Sequence, residues 1–143
     1  MRALFALLLV AVAAPAAALD RTPAQARDVV ARYYAALDRG AYRTAYMLWD
    51  RSGQASGQSY AGFVRGFART AHTRVVTGAP TDMEGAAGSS YITVPVRVYA
   101  TLKNGAAQRF TGTYTLRRVN DVPGATPAQL SWHLSAAKLR QAR

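Results

Sequence analysis

Few residues in this sequence have side chains suited to acid–base, nucleophilic or metal chemistry. Its 143 residues include 18 Lys and Arg, 7 Asp and Glu, two His and no Cys, for a formal net charge of +11. Without cysteine the chain has no disulfide, thiolate zinc site, iron–sulfur cluster or cysteine nucleophile. The two histidines are far apart and the acids are few, so we predict no metal site and no cofactor.

One acid stands out as a candidate for general acid–base catalysis. Such a group must be held beside its substrate in a site of low dielectric, whereas Asp28 and Asp38 fall on the exposed side of a predicted helix and two other acids lie in a Gly-rich loop. Asp20 is terminal and Asp121 lies in a predicted turn. Asp50 is the remaining candidate, although beside Arg51 it serves more simply as a cap or an ion-pair partner. Both histidines are expected at the surface rather than in a catalytic role.

Aromatic residues form a second group of candidates. Eight tyrosines accompany four phenylalanines and two tryptophans. This excess of tyrosine favours a partly wet cavity, because each buried hydroxyl needs a hydrogen-bond partner. The aromatic residues of the predicted helices could line a pocket for an apolar ligand, or they could simply form the core. They are Tyr33, Tyr34, Tyr46, Trp49, Phe63 and Phe67.

The N-terminal residues predict a signal peptide rather than part of the folded domain. A positive Met1-Arg2 end precedes an apolar run over 3–13, and small residues follow up to Ala18. This is the three-part pattern of an export signal. We expect a signal peptide over 1–18, a single domain over 19–143, and a periplasmic or secreted protein. The alternative is an uncleaved anchor, because the apolar stretch is at the short limit of a membrane span.

Three helices are predicted in the first half of the remaining chain. Thr22-Pro23-Ala24-Gln25 has the residues of a capping box with proline at the first helical position. The apolar stripe that follows runs to Leu37, and Asp38-Arg39-Gly40 then ends the helix, with Gly40 free to take the left-handed conformation. A second helix is expected over 41–50 and a third over 59–71, since aromatic residues recur there at helical spacing.

From residue 72 onward apolar residues recur at every second position, which indicates strands. We expect strands over 73–77, 91–102, 107–118 and 130–135. A flexible Gly-rich connection is expected over 79–90, and a loop with two prolines over 120–128.

The turn between the two long strands decides which residues share a face. A three-residue loop over 103–105, with Gly105 in the left-handed conformation, pairs residue 102 with 106 and leaves one face wholly apolar. A two-residue loop would mix apolar and polar side chains on both faces, so we prefer the longer loop. We expect this loop to place Ala100 beside Phe110, Val96 beside Tyr114 and Val94 beside Leu116.

The other face of this predicted sheet is polar and basic. Tyr99 lies opposite Arg109, and Tyr91 lies opposite Arg117, in the preferred register. Arginine stacks on aromatic rings and forks to carboxylate or phosphate. The face could therefore bind an anionic partner, form a homodimer, or remain solvated. The candidate partner face consists of Tyr91, Arg97, Tyr99, Arg109, Arg117 and His133.

The order of elements resembles a known superfamily. Residues 30–49 contain a helix that ends in an aromatic residue, a leucine and a glycine, followed by a short aromatic helix. Together with three helices before a curved antiparallel sheet, this resembles the nuclear transport factor 2-like superfamily, the cone-shaped relative of the cystatin-like fold. The resemblance implies an α+β fold, with three N-terminal helices packed on a sheet of about four strands and a pocket in the cone.

Two functions follow as expectations, because a fold does not choose its function. The first is an exported, non-catalytic binding or interaction domain. Its partner would be a small ligand, an anionic envelope component, an acidic protein or a second copy. The alternative implied by the resemblance is a small isomerase or hydro-lyase that uses Asp50 with Tyr34 inside the cone. Export and the lack of a recognised motif argue against a nucleic-acid partner, and no transmembrane segment is expected after cleavage.

Overall fold

The computed structural model describes residues 21–143, and the predicted signal peptide lies outside them. The helices in this range are α1 (Pro23–Asp38), α2 (Tyr42–Met47), α3 (Tyr60–Gly66) and α4 (Pro127–Leu130), with a 3₁₀ turn over Gln54–Ser56. The strands are β1 (Thr70–Thr77), β2 (Glu84–Ala86), β3 (Ser89–Leu102), β4 (Ala107–Val119) and β5 (His133–Ala142). Between residues 21 and 143, no helix is long and apolar enough to span a membrane.

The first helix begins as predicted. The Thr22 hydroxyl accepts a hydrogen bond from the backbone N–H of Gln25 at 3.1 Å, and the Gln25 side chain accepts one from the backbone N–H of Thr22 at 2.8 Å. Gly40 follows the helix with a φ of +73°, a conformation that favours glycine. The buried stripe of α1 includes Ala26, Val29, Val30, Tyr33, Tyr34, Ala36 and Leu37.

Helices α2 and α3 are shorter than predicted, because sheet pairing takes over their last residues. Trp49 forms a parallel bridge with Leu134. The backbone N–H of Leu134 donates to the Leu48 carbonyl, and that of Asp50 donates to the Leu134 carbonyl, each at 2.8 Å. Residues 70 and 71 likewise belong to β1 rather than to α3. Pairing with a distant strand overrides the local helical pattern in both places.

The sheet is antiparallel, with the order β1-β3-β4-β5, and the short strand β2 pairs with the start of β3. It therefore has five strands, where about four were expected, because part of the Gly-rich connection pairs as β2. Helix α1 contacts β3 and both edge strands, β1 and β5. A sheet whose two edges meet the same helix must curve around it, so the α+β cone prediction is confirmed.

The predicted three-residue turn is present. Gly105 has a φ of +87°, and the Leu102 backbone N–H donates to the Ala106 carbonyl at 2.9 Å. Tyr99 lies opposite Arg109, as predicted. The predicted apolar pairs were wrong by two residues, because pairing 102 with 106 places 100 opposite 108. The observed pairs are Val98 with Phe110, Val96 with Gly112, Val94 with Tyr114 and Ile92 with Leu116.

The C-terminal region differs most from the prediction. Residues 127–130 form helix α4 instead of a strand, and β5 continues to residue 142 instead of ending at 135. Helix α4 has the same capping box as α1, since Thr126-Pro127-Ala128-Gln129 repeats the tetrapeptide at 22–25. That repeat is a signal from which α4 could have been predicted. The buried Trp132 then joins the two regions by donating from Nε1 to the Thr22 carbonyl at 3.0 Å.

Candidate functional site

A cavity of about 410 Å³ lies between the inner face of the sheet and the helices α1 and α3. Its closed end is formed by the buried residues Tyr33, Tyr34 and Tyr114. Phe67 and Phe110 are half-buried, so the opposite end opens toward solvent near the β3–β4 turn. The remaining lining residues are Gly66, Thr70, Thr73, Val98, Ala100, Gln108, Leu139 and Gln141.

Two tyrosine hydroxyls meet at the closed end of the cavity. The Oη atoms of Tyr34 and Tyr114 are 2.6 Å apart, and both side chains are at most 5% exposed. The Tyr33 ring packs edge-on against both, with centroid distances of 5.1 Å to Tyr34 and 6.0 Å to Tyr114. A bond between two hydroxyls uses one of their two hydrogens, and within residues 21–143 neither hydroxyl has another hydrogen-bond partner. One O–H is therefore left to donate.

Burial keeps these phenols protonated. It raises the pKa of Tyr34 to about 12, although the hydrogen bond with Tyr114 lowers that value. Burial also raises the pKa of Tyr114 well above its usual value, with further increases from Tyr34 and Tyr33. Burial raises the pKa of Tyr33 as well, although the Trp49 side chain lowers it. At neutral pH all three groups act as hydrogen-bond donors rather than as bases.

The cavity contains no group that is ordinarily a base near neutral pH. Within the described part of the chain, no Asp, Glu or His lines it. The same residues hold no cluster of three or more His, Cys, Asp or Glu that could bind a metal ion. The polar groups available to a ligand are therefore hydroxyls and the two amides of Gln108 and Gln141.

Three of the six predicted pocket residues line the cavity, namely Tyr33, Tyr34 and Phe67. The other three lie in the core behind it. The Tyr46 hydroxyl donates to the Gln58 carbonyl at 2.8 Å, whereas Phe63 and Trp49 pack against Tyr33 with centroid distances of 6.4 and 6.0 Å. The core interpretation therefore holds for Tyr46, Trp49 and Phe63.

Sequence reasoning missed the cavity residues that come from β4 and β5. Phe110 and Tyr114 were placed on the apolar face of a strand, but nothing in the pattern indicated that they border a cavity. Leu139 and Gln141 lie beyond the predicted end of the last strand, so no strand face was assigned to them. The part of β5 after residue 135 supplies both.

The structure does not bring the alternative catalytic pair together. Asp50 Oδ2 accepts a hydrogen bond from Arg117 Nη1 at 2.9 Å, and Oδ1 accepts one from the Arg51 backbone N–H at 2.9 Å. Arg117 is on the outer face of the sheet, because its neighbour Leu116 is buried on the inner face. Trp49 turns inward, so Asp50 turns outward and does not line the cavity that contains Tyr34.

The six predicted partner-face residues occupy the outer face of the sheet. Tyr91, Arg117 and His133 form one row across β3, β4 and β5, because Arg117 lies opposite both of the others. Tyr99 and Arg109 form another pair, and Arg97 lies next to them along β3. His133 Nδ1 is 3.0 Å from the Ser131 carbonyl, so this nitrogen carries the hydrogen.

The sequence matches no protein-family model and no curated protein. Among solved structures, the fold is similar to the Kfla4162 protein of Kribbella flavida, with a TM-score of 0.57 and 15% identity over 84% of this chain and 90% of that chain. It is also similar to a candidate dehydratase of the NTF2-like family from Streptomyces avermitilis, with a TM-score of 0.54 and 14% identity over 84% of this chain and 96% of that chain.

A candidate scytalone dehydratase from Novosphingobium aromaticivorans has a TM-score of 0.54 and 11% identity, over 82% of this chain and 81% of that chain. TM-scores of 0.54 to 0.57 indicate a shared fold, whereas identities of 11% to 15% leave the activity open. Three N-terminal helices and a sheet curved around α1 are the arrangement that the resemblance in the sequence implies. The chain therefore has the fold of the nuclear transport factor 2-like superfamily.

Proposed function

We propose that this protein binds a small, largely apolar molecule with a hydrogen-bond acceptor, and that it does so in the aromatic cavity. The Tyr34–Tyr114 hydroxyl pair is the observation that carries the proposal. The pair keeps one O–H hydrogen for a ligand inside a wall that is otherwise mostly aromatic and aliphatic. An unused buried donor costs about 1–3 kcal/mol, which a ligand acceptor such as a carbonyl oxygen would recover.

The size and polarity of the cavity suit such a ligand. A volume of about 410 Å³ lies within the usual range for small-molecule sites. The hydroxyl pair lies at the closed end, whereas Gln141 is exposed at the open end. A fitting ligand has an apolar body with one acceptor that points inward, and any second polar group lies at the rim.

The lining supports binding more than catalysis. Dehydration or isomerisation requires a group that removes a proton near neutral pH, and no such carboxylate or imidazole lines the cavity within residues 21–143. The tyrosines are protonated at that pH, so they can donate a hydrogen bond but cannot remove a proton. A hydro-lyase or isomerase remains the alternative, and its support is the fold shared with candidate dehydratases.

An exported location is also part of the proposal, and it rests on the pattern over residues 1–18. Protein recovered from outside the cytoplasm should begin at Leu19 when its N-terminus is sequenced. A chain that retains Met1 in that fraction would contradict cleavage after Ala18.

Binding can be tested with a matched pair of probes, 1-tetralone and tetralin, which differ by one carbonyl. We expect 1-tetralone to bind about tenfold more tightly, as one net hydrogen bond predicts. Each single variant, Tyr34→Phe or Tyr114→Phe, retains one hydroxyl and should still prefer the ketone. The double variant has neither hydroxyl and should bind the two probes equally.

Tyr46→Phe is the control for this test, since it removes a buried tyrosine hydroxyl that does not line the cavity. Its preference for 1-tetralone should match that of the wild type. If the wild type bound neither probe, or if the double variant kept the full preference, the proposed function would be wrong. Circular dichroism and thermal unfolding establish that each variant is folded before its affinity is compared.

A further inference from the structure

The outer face of the sheet has an unusual distribution of charge. Strands β1, β3, β4 and β5 contain no Asp or Glu. Their pairing places six cationic side chains on the outer face, since outward positions of neighbouring strands lie opposite one another. The six are Arg74, Arg97, Arg109, Arg117, Lys138 and Arg140.

Four of these residues form a compact group, which we call the arginine patch: Arg74, Arg97, Arg109 and Arg140. Arg74 and Arg109 lie on either side of Tyr99 in one row across the sheet. Arg97 and Arg140 lie on either side of Thr111 in the next row. The patch spans three strand intervals, from β1 to β5, and one two-residue step along the strands. A strand spacing of about 4.8 Å and a two-residue rise of about 6.8 Å therefore place the four positions within about 14 by 7 Å.

The arginine patch is exposed and has no internal counterion. Within residues 21–143, none of its four members pairs with an acid, whereas Arg117 at the far end of the face is bound to Asp50. The Arg74 guanidinium lies 4.3 Å from the centroid of the Tyr99 ring, which holds it in place without neutralising it. Like charges this close repel one another, so an anionic ligand would relieve a cost that is already present.

The same features argue against a second copy of the chain on this face. Two arginine patches brought together would oppose eight guanidinium groups, and like-charge contact disfavours association. A protein interface also needs an apolar centre. The exposed large apolar side chains within the described part of the chain are Met47, Met83, Val122 and Leu139, and none belongs to the patch.

The shape of the sheet favours one kind of anion. Because α1 contacts both edge strands on the inner side, the outer face is convex. A flat bilayer or a DNA duplex, which is stiff over about 150 base pairs, would meet only part of a convex face. A flexible chain can follow the curve and meet several arginines at once, and arginine forks readily to phosphate and carboxylate.

We infer that the arginine patch binds a flexible linear polyanion whose charges are closely spaced phosphate or carboxylate groups. The basis of recognition is charge density, so binding releases counterions and weakens steeply as salt rises. This interaction does not depend on the aromatic cavity, which lies on the opposite face of the same strands. The two sites can therefore be tested separately.

The test is a titration with sodium polyphosphate at several salt concentrations. Wild-type protein should bind, with an affinity that falls linearly on a log–log plot against salt. The Arg97→Gln/Arg109→Gln variant should bind roughly tenfold more weakly at low salt. The slope of its log affinity against log salt concentration should be shallower by about 1.4, because each lost contact accounts for about 0.7. The Arg39→Gln/Arg69→Gln variant is the matched control, because it removes the same charge from exposed positions off the sheet.

Three results would overturn the inference. The first is that the control variant weakens binding as much as the patch variant, which would make net charge the only cause. The second is tighter binding, at equal charge concentration, to duplex DNA or to vesicles of anionic phospholipid than to polyphosphate. The third is self-association of the wild type that the patch variant abolishes, because the face would then join two copies of the chain.

Discussion

The two faces of the sheet are built from alternate residues of the same strands, yet their chemistry is opposite. On β4, Phe110 and Tyr114 point inward to the cavity, whereas Arg109 and Arg117 point outward. The inner face has aromatic rings and phenols that burial keeps uncharged. The outer face has six cations and, on its four long strands, no acid.

Burial and function therefore constrain the two faces separately. A side chain on the inner face must pack, and its polar atoms must find partners. A side chain on the outer face keeps its hydration, so its charge can serve an external partner. Changes on one face should therefore leave the other unaffected.

The loss in unfolding free energy when a side chain is truncated should differ more between the two faces than any other quantity. Leu116 is 0% exposed on the inner face, and its neighbour Thr115 is half-buried on the outer face. Leu116→Ala should lower the free energy of unfolding by about 2–5 kcal/mol, whereas Thr115→Ala should change it by about 0.5 kcal/mol or less. Urea titration of both variants gives the two values. Equal losses would mean that the outer face is packed as tightly as the inner one.

Alkaline pH should destabilise the fold, because the inner face buries phenols that ionise more readily in the unfolded chain. Their folded-state pKa values are raised above the unfolded value near 10, to about 12 for Tyr34. Stability is therefore fully present below pH 10 and is lost as pH rises from 10 to 12, since the unfolded chain ionises first. The loss should approach about 1.4 kcal/mol per pH unit for each such tyrosine.

Tyr34→Phe/Tyr114→Phe removes two of these groups, so its unfolding free energy should fall less steeply between pH 10 and 12. Urea titrations at half-unit intervals measure the two slopes. The same slope in the variant and the wild type would show that these hydroxyls are not held in a buried site.

Much of the inner face could be predicted from the sequence, because its signals are local. The helical spacing that includes Tyr33 and Tyr34, and the alternation that includes Phe110 and Tyr114, each lie within one element. The direction of Asp50 could not be predicted in this way, since it depends on the bridge between Trp49 and a strand far along the chain.

The outer face was predicted only in part, for the same physical reason. Residues 136–142 contain Ala, Lys, Leu, Arg and Gln, which favour helices when judged alone. They form a strand because β4 offers an unpaired edge, and that pairing lies outside any local window. Lys138 and Arg140 were missed on the outer face as a result, and Leu139 and Gln141 were missed on the inner face.

Breaking the ion pair between Asp50 and Arg117 should lower the free energy of unfolding by a smaller amount. Asp50→Asn removes the partner of Arg117, a pair whose side chains are 22% and 31% exposed. Partial exposure limits the expected loss in unfolding free energy to about 1 kcal/mol. The affinity for 1-tetralone should not change, because Asp50 does not line the cavity. Loss of ligand binding in this variant would favour the alternative in which Asp50 acts on a substrate.

The most direct test of the account is the affinity for 1-tetralone relative to tetralin, measured by calorimetry in three proteins. The wild type and Arg97→Gln/Arg109→Gln should both prefer the ketone by about tenfold, because the outer-face change leaves the cavity intact. Tyr34→Phe/Tyr114→Phe should show no preference. A preference that survives in the tyrosine variant, or that disappears in the arginine variant, would contradict the account.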